Sequence, residues 1–488
     1  MGAFNWRIIN TITISNSVLD CFSVMSFILA VEHSNIHKRA ALKILLISGC
    51  SHFRLSFAIF VTSTVLSLWF SNCMACGLMM PLVKEILKEL EKMGILETNE
   101  IICKVSTCSS DNANEKYTPR PSDFCIFYFI GIAYSSTIGG MSSFIGSETN
   151  QLFINYFSAI FPDGPKLEAP HYLLLTLPGV IIMEMFLYLW LNFYFLGMLR
   201  VQNYTALQAS LTSDEEQYIS VLLTGQYQKL GKIKFHEMVV GATVVLAAFL
   251  QAIIFTSKSY SEDDKLNTKS YINTSVPFTV CVFILFVTPT QFNCIKFFKK
   301  RNDNSEPLPT VPTRSCLTWT MIKNNIDWSV IFLTASANIT FESLEDSKMT
   351  GEFEKFLSLF SGCPAPAQAC IVIVFCKILT EFADSATVGH CILAHVANVG
   401  VKSKVNPLYL MLSSTLSTSL PFHLITGTPA HAMISSYINI PPRKLVIAGI
   451  GPSVMAILTN LCTVCVWSKV IWPDIDTYPT WADGMQNK

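Results

Sequence analysis

Residues 66–87 read LSLWFSNCMACGLMMPLVKEIL. In very apolar surroundings, Ser71, Asn72 and Cys73 make a small polar interruption. The chain then resumes as GLMMPLV and runs into a charged helical piece, KEILKELEK. Irregular polar backbone sits at bilayer depth only where protein shields it or where it lines a watery site. With the apolar run 52–70 before it, this stretch reads as a helical hairpin whose tip enters the membrane. Such a tip frees carbonyls and adds an Asn side chain, and oxygens of that kind bind hard cations such as sodium. A capped helix start uses the same residues, so the rest of the chain must decide.

Working outward, the composition agrees with a membrane setting. The chain has 488 residues, 51% hydrophobic and 14% charged, with mean hydropathy +0.43. Soluble domains carry about 25% charged residues, so little soluble mass is expected. Net charge is zero, and nothing suggests nucleic acid. The 16 cysteines are scattered through apolar segments; packing, not a disulfide framework or redox chemistry, is expected even for Cys73–Cys76 and Cys462–Cys465. The start, MGAFNWRIIN, has one arginine and no small-residue cleavage site, so no signal peptide is read.

Apolar runs able to cross or enter a bilayer recur at 12–32, 52–70, 124–145, 171–198, 236–256, 276–295, 326–343, 366–397, 405–421 and 444–472. Amphipathic pieces at 36–48, 78–92 and 345–360 are expected to lie along the interface. Basic residues cluster in 37–43 and 296–314, which the positive-inside rule makes cytoplasmic. The loop 257–275 then faces outward, and it carries a glycosylation pattern at Asn273-Thr-Ser275. Asn203 and Asn338 fit the same pattern, the latter fortuitously within an apolar run.

Three further breaks resemble the first. FCIFYFIGIAYSS leads to Thr137-Ile-Gly-Gly140 and then Gly146 to Asn150, which describes a broken helix. Half-helix ends there offer carbonyls to cations and N–H groups to anions. In the second half, 366–382 leads to Ala383-Asp384-Ser385-Ala386-Thr387, and 405–421 leads to His423 and Gly427-Thr428-Pro429-Ala430-His431. Hairpin, broken helix, hairpin, broken helix is how an inverted-repeat transporter reads. No nucleophile–base pair or metal motif supports an enzyme.

At this point the chain resembles a known family. VEHSNIHKRAALKILL, RLSFAIFVTSTVLSLWFSNCMACGLMMPLV, AYSSTIGGMSSFIGSETNQLF, YQKLGKIKFHEMVV, DWSVIFL, LTEFADSATVGH, TGTPAHAMI and WPDIDTYPTWA fall in the order of the divalent-anion/sodium symporter family, and look most like its insect Indy-like members. The likeness spans about 15–488. It implies a homodimeric elevator that carries di- and tricarboxylates, such as citrate and succinate, across the plasma membrane. It implies no cofactor beyond sodium or a proton as coupling ion. Ser71, Asn72 and Cys73 match the family's first tip, Ser-Asn-Thr. Gly146 and Asn150 match the ends of the first break, and Thr428 and Pro429 match the second.

The residues implied for substrate are Ser71, Asn72, Cys73, Thr149, Asn150, Ser385, Thr428 and Pro429. Those implied for the cation are Ser71, Asn72, Gly146, Asn150, Asp384, Thr387 and His431. The departures fall mainly in the second site. Its tip, Ser-Asn-Val-Ala-Thr in the family, reads Asp384-Ser-Ala-Thr-Val388, and its break has Ala430 and His431. Glu148 replaces a small residue in the first break. Asp384 is read either as paired with Lys377 (which also has Glu381 at i+4), as a protonatable group in place of a sodium site, or as drift in an unused site. Four histidines, 390, 395, 423 and 431, make proton coupling conceivable.

The expected fold is all-α and polytopic, with two re-entrant hairpins, two broken helices and an N-terminally shortened scaffold, because the first tip arrives at residue 71. Residues 1–51 are expected as scaffold remnant, 52–161 and 346–488 as transport-domain halves, and 171–345 as scaffold. The alternative is a non-transporting membrane protein that keeps this fold.

Overall fold

Capping side chains set where seven of the described helices begin. Ser71, Ser122, Thr318, Asp327, Asp384, Asn406 and Thr428 each accept a hydrogen bond from a backbone N–H in the first turn that follows. These satisfy donors that the helix itself leaves unpaired. The computed structural model describes residues 16–49, 51–94, 99–100, 120–197, 213–260, 276–291 and 313–485. Asn203 and Asn273 lie outside the described residues.

The chain runs α1 (Asn16–Ser34), α2 (Ile36–Ser48), α3 (His52–Trp69) and α4 (Asn72–Lys92), then a two-residue antiparallel pair, β1 (Asn99–Glu100) with β2 (Arg120–Pro121). There follow α5 (Asp123–Gly140), α6 (Glu148–Ile160), α7 (Ala169–Leu196), α8 (Ser213–Lys229), α9 (Phe235–Tyr260), α10 (Val276–Val287), α11 (Trp319–Asn325) and α12 (Trp328–Asp346). The last part is α13 (Gly351–Ser358), α14 (Ala365–Phe382), α15 (Ser385–Lys402), α16 (Pro407–Thr418), α17 (Pro429–Ile438) and α18 (Pro442–Cys462). A π-helical turn (Thr463–Trp467), α19 (Ser468–Ile471) and a 3-10 turn (Thr480–Met485) close the chain. Among the described residues, six helices are long and apolar enough to cross a membrane.

The two hairpins pack alike. Both α3 and α4 lie against α5, and both α14 and α15 lie against α16. The far halves of the broken helices cross over: α6 packs on α15 and α16, while α17 packs on α4 and α5. Contact with α5 is close because α3 presents hydroxyls to its carbonyls. Ser63 donates to Ile132 O at 2.9 Å, Thr64 to Ser135 O at 3.3 Å and Ser67 to Ser136 O at 2.6 Å.

Two readings of the sequence are corrected. The piece 78–92 is not a separate interfacial helix but the continuation of α4 through Pro81. Its apolar stripe, Leu82, Val83, Ile86, Leu87 and Leu90, is buried together with Glu85 and Glu89. The piece 345–360 is interrupted by Lys348 in a left-handed conformation (φ 57), so α13 starts afresh at Gly351. The stretch 171–345 also divides by packing: α7 rests on α5 and α18, whereas α9, α10 and α12 pack on α1.

Glu354 ties α13 to α15, accepting from Lys402 Nζ at 2.5 Å, His395 Nδ1 at 2.9 Å and Asn398 Nδ2 at 3.1 Å. Partial burial pushes this carboxyl up, but the hydrogen bonds from Lys402, His395 and Asn398 outweigh it and hold it at about 2. A lowered carboxyl contributes stability that is complete above its ordinary value, 4.5, and is lost as pH falls through about 2. Thermal unfolding should therefore show stability falling across that window, and Glu354→Gln should make the fall shallower. Identical profiles for the two chains would rule this out.

Candidate functional site

The first tip is held by the first break. Ser71 caps α4, accepting from Met74 N–H at 3.3 Å, and its hydroxyl donates to Asp20 Oδ2 of α1 at 3.1 Å. Asn72 N–H donates to Gly146 O at 2.9 Å. Cys73 is buried. Between α5 and α6 the backbone folds on itself: a Cβ added at Gly146 would stand 2.6 Å from Gly140 Cα and 2.6 Å from Ser67 O. Glycine is required there by the close approach. Gly146 and Asn150 are four residues apart, at most about 14 Å, so Asn72 and Asn150 converge on one place despite their separation in sequence.

Asn150 is fully buried, and its amide points inward. Nδ2 donates to Gly140 O at 3.2 Å, Met141 O at 3.0 Å and Ser143 O at 2.8 Å, while Oδ1 accepts from Ser419 at 3.0 Å. It thus holds the loop of the first break and joins it to the end of α16. Beside it, Thr149 is buried with its hydroxyl unpartnered. Glu148 accepts from Ser17 of α1 at 3.0 and 2.8 Å.

The second tip repeats the backbone of the first. Phe70 and Ser71 have φ/ψ of −113/163 and −59/149; Ala383 and Asp384 have −130/159 and −59/141. Ser385 N–H donates to Gly427 O at 3.0 Å, the counterpart of the Asn72–Gly146 bond. Asp384 takes the capping place of Ser71, accepting from Ala386 N–H at 3.1 Å and Thr387 N–H at 3.3 Å. With Thr387, Thr426, Thr428, Pro429 and Thr334 it lines a cavity of about 180 Å³. The hydroxyls of Thr387 and Thr426 have no partner. Thr428 caps α17, and Pro429 is its first residue. His431 is fully buried against Tyr134 (ring centroids 5.3 Å apart), and neither ring nitrogen makes a well-formed hydrogen bond.

Lys377 pairs with Glu381 (2.6 Å), not with Asp384. Its ammonium also meets Leu420 O and the Phe422 ring. Glu381 further binds His423 N–H at 2.8 Å and His423 Nδ1 at 3.1 Å. The four histidines therefore sit in four surroundings: His390 faces Tyr156, His395 faces Glu354, His423 joins Glu381 and His431 meets Tyr134.

Sequence reading missed Asp20, Ser17 and Ser419. Asp20, a carboxylate in the middle of the apolar run 12–32 that ends at Glu32, was the available signal, because intramembrane carboxylates are rare without a role. Glu148 stands within electrostatic reach of both Asp20 and Asp384.

The sequence model of a family described as "Citrate transporter" matches residues 2–417. "Protein I'm not dead yet" of Drosophila melanogaster is 29% identical over 458 residues, covering 93% of this chain and 76% of its own. Human Na(+)/dicarboxylate cotransporter 3 is 25% identical over 493 residues, with 93% and 80% covered. Among solved structures, the Alcanivorax borkumensis YdaH transporter covers 97% of this chain and 90% of its own at 11% identity, with a TM-score of 0.47. The matched family is one of carriers, not enzymes. The chain is a helical, multi-pass membrane protein that belongs to the citrate transporter family, among the divalent-anion/sodium symporters that its motifs resemble.

Proposed function

We propose that this chain is a secondary active transporter of di- and tricarboxylates, citrate and succinate among them, in the plasma membrane. It works as an inverted-repeat elevator in a homodimer, with α3–α7 and α14–α18 forming the moving body. One observation carries the reading: each tip donates a backbone N–H to the glycine of a break, Asn72 to Gly146 and Ser385 to Gly427, on matching backbone. That is the geometry of a site built where two repeats meet. Asn72, Thr149, Ser385 and Thr428 are the donors a dianion would use, and Asn150 shapes the loop around them. Uptake of labelled citrate and succinate into cells expressing the chain tests the proposal. Asn72→Ala should abolish uptake while leaving the protein in the membrane; unchanged uptake would remove the first tip from the site.

Coupling is proposed to depart from sodium. Asp384 and His431 stand where the family has neutral oxygens, and a carboxylate there can carry a proton instead. Uptake should persist when choline replaces sodium and should vary with external pH, and Asp384→Asn should flatten that variation. A steep, saturable sodium requirement would refute it.

A second reading, a non-transporting membrane protein acting through dimerisation, is favoured by one feature. Asp20, Glu148 and Asp384 surround the tips, so a dianion placed there meets carboxylates. Absence of uptake of either acid under every ionic condition would select this reading.

A further inference from the structure

Helix α1 runs along α4 in a fixed parallel register. Asp20 meets Ser71 at 3.1 Å, Val24 and Ile28 press on Gly77, and Glu32 meets Lys84 at 3.8 Å. The numbering offset hardly changes along the contact: 71 − 20 = 51 and 84 − 32 = 52. The two helices therefore lie side by side for about 18 Å. A Cβ at Gly77 would stand 2.8 Å from Val24 Cγ1 and 2.9 Å from Ile28 Cδ1, so the two helices approach closely at that turn.

Beyond Lys84, α4 overhangs the end of α1 and carries Lys88 and Lys92 at the same four-residue spacing. The three side chains are 58, 55 and 51% exposed. Spacing by four places them in one column on a helix, about 6 Å apart. Lys88 is loosely held by Glu85 at 4.0 Å, and Lys92 by Glu89 at 2.5 Å. Glu32 is fixed from the other side by the Tyr437 hydroxyl of α17, and Lys84 lies 4.3 Å over the Tyr437 ring. Glu32, Lys84 and Tyr437 face a cavity of about 550 Å³ between α1, α4, α11 and α17.

We propose that Glu32 is a positioning residue that passes from Lys84 to Lys88 to Lys92 as α4 slides along α1. Each step is four residues of helix, about 6 Å. The proposal rests on the sliding-body reading above. The end of α1 at Glu32 leads into the basic helix α2, expected on the cytoplasmic side, so outward movement of the body brings the next lysine to Glu32. Exposed ion pairs bias an equilibrium by at most about fivefold. Weak rungs suit a path that must be travelled in both directions, because one strong pair would trap the body.

The test is made in the full chain in membranes. Glu32→Cys is combined in turn with Lys84→Cys, Lys88→Cys or Lys92→Cys and treated with a short bis-methanethiosulfonate, which joins the two thiols through reducible disulfides, with the unaltered chain as background. All three pairs should crosslink above background, each should stop uptake until reduced, and citrate or succinate should shift the yields among them by about two- to fivefold. Crosslinking of the Lys84 pair alone, in a chain that takes up substrate, overturns the ladder and leaves the carrier reading intact. Absence of uptake by the unaltered chain overturns the carrier reading itself. As a check on charge, Glu32→Lys should slow initial uptake by about two- to fivefold, and adding Lys84→Glu, Lys88→Glu and Lys92→Glu should restore it. No slowing by Glu32→Lys, or no rescue, counts against the ladder.

Discussion

Lys377→Met is expected to destabilise the chain by roughly 3–5 kcal/mol, the cost of leaving one member of a buried ion pair alone. Lys377 is 4% exposed, its ammonium lies 2.6 Å from Glu381 Oε1, and nearby it meets Leu420 O and the face of Phe422. Glu381 in turn holds the backbone and ring of His423, which adjoins Ser453 of α18 at 3.1 Å. Removing the ammonium strands a carboxylate where α14, the second break and α18 meet. The damage should appear as a lower unfolding temperature in detergent and reduced surface abundance. Lys377→Met with Glu381→Met removes both charges and should recover most of the loss. If the double variant is as damaged as the single, the cost lies in packing and this account of the pair is wrong.

Gly139→Ala should be comparably harmful for a steric reason. A Cβ there would lie 2.3 Å from Thr64 O and 2.9 Å from Thr64 Cα, both backbone atoms of α3 that cannot turn aside. Overpacking of this kind costs about 1–3 kcal/mol or more, and it pries hairpin from broken helix beside the first site. Uptake should be lost even where folded protein remains. Gly225→Ala in α8 is the control: nothing stands within 4 Å of the added carbon, and alanine favours a helix by about 1 kcal/mol. Equal unfolding temperatures for Gly139→Ala and the unaltered chain would refute the close-contact argument.

The tips and breaks were legible because each interrupts an apolar run with small polar residues, and Ser71, Gly146, Asp384 and Gly427 all stand at such interruptions. What escaped were relations between distant segments. Nothing local says that Asp20 faces Ser71 or that Ser419 reaches Asn150. The partner of Lys377 was left between Glu381 and Asp384, at i+4 and i+7. The structure takes Glu381 because α14 ends at Phe382, and Asp384 has already turned away to cap α15. The continuity of α4 was obscured by its composition, since apolar and charged parts look like two elements when only their average polarity is read. Pro81, in the middle of the helix, did not break it.

The inward amide of Asn150 has a consequence for affinity. Its donors already serve Gly140, Met141 and Ser143, and its oxygen serves Ser419; the Ser71 hydroxyl likewise serves Asp20. These groups are thus already engaged by the protein's own backbone and side chains, which act as rival ligands. A substrate that reaches for these groups does not add bonds to vacant donors; it exchanges one partner for another. Net gain per contact is then small, as in any swap of equivalent hydrogen bonds. On the proposed carrier reading, selectivity among acids rests on the groups that have no rival, the buried hydroxyls of Thr149, Thr387 and Thr426, which only a guest of the right shape satisfies.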